Sequence, residues 1–218
     1  MHSFAGQFQM ACQGQVDRCF VSSAFFDSEH RLGTVMITRR MSDGRLGCIR
    51  FLVDAMCLGV KNVHANFIFP SKLADILEYL GEAEELRPAS PATARKLVED
   101  AISFAERLGF DPCAGYQKHA SIWGDIDPSE CKTTFEFGDQ DGKPFFCAGP
   151  NETDLDVANI IATLEESVGE DNFGVEADSV YGLDELAMGG GWDDPELDIG
   201  IDEDLDESTA QPLIDFPK

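Results

Sequence analysis

Two stretches of this 218-residue chain place ionisable side chains close enough in sequence to act together. Asp54, Cys57 and Lys61 bring a carboxylate, a thiol and an ammonium group to the end of an apolar run. Loops at such ends often carry function. The same residues also suit a structural role, with Asp54 capping a turn, Cys57 packing as a small hydrophobe and Lys61 in solvent. The second set is His119, Asp125 and Asp127. An imidazole with two carboxylates could hold a divalent metal or serve as acid and base. Against that, Asp127-Pro128 suits a turn, with Asp125 as its cap and His119 facing solvent. A metal-dependent hydrolase or nuclease would need His119, Asp125 and Asp127 in one cleft, joined by Asp54 and Lys61.

Other chemistry leaves little trace. The chain has no Walker loop, GxGxxG, GxSxG, HExxH or EF-hand loop. Asp139-Gln140-Asp141-Gly142 opens like a calcium loop but lacks the later oxygen ligands, so it reads as a hairpin turn. His2, His30 and His64 stand alone. The seven cysteines form no CxxC pair and lie in strand-like segments, which points to reduced thiols and no structural zinc. No cofactor and no metal are expected.

The elements that must position these groups are clearer. Residues 90–109 are the plainest helix: Ala94, Leu97, Val98, Ala101, Ile102, Ala105 and Leu108 recur at steps of three and four. Ser90 suits the cap, Pro91 the first turn and Gly109 the left-handed exit. Residues 16–26, 33–41 and 47–55 read as a three-stranded antiparallel meander, with a turn at Ser42-Asp43-Gly44-Arg45. Residues 54–66 suggest a bend or short helical turn. A helix is expected at 71–80, an acidic connector at 81–88 and a short helix at 114–123. Residues 132–138 and 143–148 read as a later hairpin, and 153–168 as a helix capped by Thr153. The expectation is an α+β domain with an antiparallel sheet of about five strands, covered on one face by helices. It spans 17–173, after an N-terminal extension of 1–16 and before a tail of 174–218.

Charge is unevenly distributed. The net charge is −25, and residues 170–218 hold 16 of the 41 acids but one of the 16 bases. Trp192, Leu197, Ile199, Leu213, Ile214 and Phe216 are spaced among those acids. Such a segment cannot build a core alone; it solvates the chain, docks on a partner or mimics nucleic acid in a basic groove. Direct binding to nucleic acid or an anionic membrane is disfavoured, since either needs clustered Lys and Arg. No apolar run reaches the roughly 20 residues of a membrane span. The first residues show no secretory signal, and a cytoplasmic location is expected.

Residues 54–62 (DAMCLGVKN), 97–116 (LVEDAISFAERLGFDPCAGY), Gly124-Asp125-Ile126-Asp127 with Cys131, and 135–150 (FEFGDQDGKPFFCAGP) occur in that order. In these pieces the chain resembles an uncharacterised, mainly bacterial protein family over about residues 17–173. The resemblance implies a bacterial origin and a domain boundary, and it brings no reaction, cofactor or substrate. Members of that family often carry His after the Pro that follows LGF, where this chain has Cys113 after Pro112. Three readings of function follow: a non-enzymatic interaction or regulatory module using the tail, a metal-dependent hydrolase or nuclease built on the His/Asp set, or an acidic inhibitor that mimics nucleic acid.

Overall fold

The computed structural model describes residues 3–27, 31–149 and 152–176. In chain order the elements are α1 (Phe4–Gln13), β1 (Val16–Ser22), α2 (Ala24–Asp27), β2 (Leu32–Arg40), β3 (Leu46–Asp54) and β4 (Gly59–Ile68). Then come α3 (Leu73–Gly81), β5 (Leu86–Ala89), α4 (Pro91–Arg107), α5 (Ala114–His119), β6 (Phe145–Cys147), α6 (Asp154–Val168) and β7 (Gly174–Glu176). The fold is α+β. Its main sheet has five antiparallel strands in the order β4-β3-β2-β1-β5.

The meander forms as the alternation predicts, with Val35, Ile37, Ile49, Phe51 and Val53 turned to one face. Gly44 closes the β2–β3 turn at φ +87°, where a side chain would be strained. The fourth and fifth strands, however, are not the expected hairpin. They are β4, from the stretch read as a bend, and β5, from the stretch read as a connector. Residues 132–138 run without a partner strand, although Phe135 and Phe137 still turn inward. The Asp139-Gln140-Asp141-Gly142 turn does close, through Asp139 N–H to Lys143 O at 2.7 Å. Its two arms then bond to the β3–β4 loop: Gly138 N–H donates to Ala55 O and Phe145 N–H to Met56 O. Within β6, the chain instead pairs in parallel with β7.

Helices cover both faces of the sheet rather than one. On the front, α4 lays Ala94, Leu97, Val98 and Ala101 against the β-face, beside α1 and the 3₁₀ turn Ala120–Trp123. Ser90 accepts the Thr93 N–H at 3.1 Å, and Gly109 leaves α4 at φ +91°. On the back, Leu73, Ile76 and Leu80 of α3 cover Phe20, Met36, Cys48 and Ile68. A third apolar cluster lies outside the sheet, where β6 and α6 pack on Phe104, Leu108 and Phe110. Residues 4–13, expected as an extension, belong to the fold, for Phe8 and Ala11 of α1 are buried in the front core.

The seating of α1 depends on Gly47. A Cβ there would lie 2.3 Å from the Ala11 Cβ, too close for any atom pair to tolerate. Gly47→Ala should therefore lower stability by about 1–3 kcal/mol, the usual cost of overpacking. A fall in the urea midpoint with an unchanged slope is the expected outcome.

Candidate functional site

Asp54 is the last residue of β3 and pairs across the hairpin with Gly59. Its carboxylate accepts three backbone N–H bonds, from Met56 at 2.8 Å, Cys57 at 3.1 Å and Leu58 at 3.1 Å. Those N–H groups have no partner strand, so the carboxylate replaces the ladder that the turn interrupts. Gly59 holds the exit at φ +68°, and a Cβ there would stand 2.9 Å from Ala105 Cβ of α4. Burial pushes the Asp54 carboxyl up, while Lys61 and the three N–H bonds pull it down.

Lys61 reaches the same corner because β4 is bulged. Leu52 faces Asn62 and Val53 faces Val60, which leaves Lys61 as the extra residue. It is not in solvent. Its Nζ lies 2.8 Å from Glu152 Oε1, with the two side chains 5% and 2% exposed. The other Glu152 oxygen accepts the Gly149 N–H. Cys57 is fully buried, and its thiol is pushed well up by burial, then by Asp54 and Cys147, against the pull of Lys61. The corner thus assembles all three expected residues and adds Glu152, which arrives from far along the chain. No short-range sequence signal announces that partner.

The other set does not assemble in this way. His119 packs its ring perpendicular to Phe8 at 5.0 Å and to Phe4 at 6.1 Å, so it is half-buried instead of facing solvent. Its Nδ1 lies 2.8 Å from Gly115 O, and burial pulls its pKa below the ordinary histidine value. Asp127 caps the 3₁₀ turn Pro128–Glu130 by accepting the Ser129 N–H, while Asp125 is exposed. Among the described residues, no group of three or more His, Cys, Asp or Glu is placed to hold a metal.

No family model, curated protein or solved structure matches the chain. The reading of the site therefore rests on its geometry. The tail residues Trp192, Leu197, Ile199, Leu213, Ile214 and Phe216 lie outside the described residues.

Two further features escaped the sequence. Arg39, 4% exposed, donates from Nη1 to Gly14 O at 2.7 Å and from Nη2 to Trp123 O at 2.9 Å. It pins α1 and the Ala120–Trp123 turn to the sheet through carbonyls. Its signal was present, since it shares an alternating face with Val35 and Ile37. Cys131 differs from Cys19 and Cys48, which burial pushes up to about 12. Burial raises Cys131 too, but hydrogen bonding to Thr93 and Thr133 and the nearby Lys96 ammonium outweigh it and hold the thiol below its usual range.

His119 supplies a pH test. With its folded pKa below the unfolded value near 6.5, neutral His119 is the form that the fold favours. The corresponding stability is complete above that unfolded value and is lost as pH falls through the folded one. Between pH 7 and pH 5, the urea midpoint should drop more for the native sequence than for His119→Phe. Parallel curves for the two proteins would refute the assignment.

Proposed function

We propose that the chain is a non-enzymatic interaction or regulatory module whose acid-hydrophobic C-terminal stretch docks on a protein partner in the bacterial cytoplasm. The observation that carries this reading is the pattern of residues 170–218, in which Trp192, Ile214 and Phe216 stand among 16 acids and a single base. Such a stretch buries too little by itself to offset its ordering entropy, and a partner's apolar groove supplies what is missing. A groove rimmed by Lys and Arg fits the charge.

Three observations support the proposal. The ionisable residues that looked able to do chemistry serve the fold, as Asp54 and Asp127 do in their turns. Several bases of the domain are paired locally: Arg18 and Arg40 with Asp17, Arg45 with Asp43, and Arg95 with Glu99. This favours a protein partner over nucleic acid, whose phosphates need uncommitted clusters of bases. All seven cysteines are free thiols, and no helix among the described residues is long and apolar enough to cross a membrane. The free thiols accord with a reducing compartment.

The test is capture of partners from host extract by the full chain and by the triple variant Trp192→Ala, Ile214→Ala, Phe216→Ala, which keeps every charge. Recovery should fall roughly tenfold or more, as loss of buried anchors does. Equal recovery would overturn the docking role. Binding that ignores the apolar changes but collapses with salt would replace it by mimicry of nucleic acid.

A further inference from the structure

The apolar clusters divide the molecule. The front and back cores enclose the five-stranded sheet with α1, α3, α4 and the Ala120–Trp123 turn. The third cluster joins β6 and α6 to the C-terminal half of α4 and to the β3–β4 corner, through Phe146, Ile160 and Leu164 on one side and Phe104, Leu108 and Phe110 on the other. The strands of this layer pair with one another and not with the main sheet. Its polar links to the rest include Phe145 N–H to Met56 O at 3.0 Å and Ser167 Oγ to Leu108 O at 2.7 Å. The Lys61–Glu152 pair adds a buried ionic link between them.

We infer that β6, α6 and β7 form a strap that opens as one unit from the sheet domain, and that the Lys61–Glu152 pair is its latch. The strap takes in Gly174–Glu176 at the start of the tail but does not rest on the docking residues Trp192, Ile214 and Phe216. A unit whose strands pair with each other, and whose apolar contact with the domain is a cluster separate from the front and back cores, opens without disturbing those cores. The latch is stiff because the bulge fixes the Lys61 direction and Gly149 N–H occupies the second Glu152 oxygen. Opening would uncover the Phe104, Leu108 and Phe110 surface, so the latch sets how often an apolar face becomes available.

Native-state hydrogen exchange on the full chain tests this, comparing amides of α6 and β6 with those of β2 and β3 across low urea concentrations. In the native sequence, α6 amides should exchange through an opening with a smaller urea dependence than β3 amides. Glu152→Gln preserves the shape and the Gly149 acceptor but removes the negative charge that faces Lys61. Exchange of α6 should rise about 100-fold or more, as expected when one member of a buried pair is removed, and α6 should keep its smaller urea dependence; β3, which exchanges through global unfolding, should rise by the same factor, because the pair is lost in both openings. Acceleration of β3 without α6, or no acceleration of either, would overturn the latch. If Glu152→Gln does not fold, the native sequence still decides the strap. One shared urea-sensitive opening for α6 and β3 would remove it.

Discussion

A carboxylate taken out of water at the end of a central strand must find donors or lose its charge. Asp54 finds three, all from the turn it heads, and lies within the field of Lys61. Much of the corner follows from this demand. The loop must fold back tightly enough to aim consecutive N–H groups at one side chain, and Gly59 must take a left-handed conformation against α4. The cation must come from the returning strand, and a regular strand would have turned residue 61 to the wrong face. The bulge corrects its direction. Lys61 then needs more negative charge than a hydrogen-bonded Asp54 supplies, and Glu152 brings the C-terminal layer with it.

Arg39 meets a comparable problem by a different route. Its guanidinium is buried on the apolar face of β2, yet its bonds run to main-chain carbonyls: Gly14 beyond the end of α1 and Trp123 at the end of the neighbouring turn. Carbonyls at a helix end carry partial negative charge and lack partners within the helix, so a planar cation with several donors satisfies both sides. One side chain therefore ties the ends of two elements to the sheet, while its buried Nε is left without a hydrogen-bond partner. Phe51 stacked on Trp123 at 5.2 Å completes the packing beneath it.

How much of this could be read from the sequence varies with how local the cause is. The α4 stripe, the caps at Ser90 and Thr153 and the β2–β3 turn all have local causes and formed where expected, and Asp156 adds a capping box at Thr153. Strand β4 was hidden by its bulge, because Val60 and Val63 share a face at a spacing that regular alternation forbids. Strand β5 is four residues long and contains Pro88, which suits an edge and reads as a connector. Phe104 lay off the α4 stripe because it faces a second layer rather than the sheet. At the site, Asp54, Cys57 and Lys61 were visible as neighbours in sequence. Glu152 was not, since long-range ion pairing leaves no periodic mark.

Proximity in sequence therefore meant different things in the two candidate sets. Asp54, Cys57 and Lys61 sit on one tight hairpin whose ends are paired, so short separation becomes short distance. His119, Asp125 and Asp127 are separated by the Ala120–Trp123 turn, whose buried Ile122 and Trp123 drive into the front core. Gly124 then reverses the chain at φ +53°, close against the Arg39 guanidinium. Burying Trp123 commits the backbone on both sides of it: His119 is drawn to the aromatic rings of α1, and Asp127 is left at the surface to cap the next turn. An apolar anchor between two polar groups assigns them to separate environments. That is a packing constraint, and it outweighs the attraction that a carboxylate and an imidazole would have in solution.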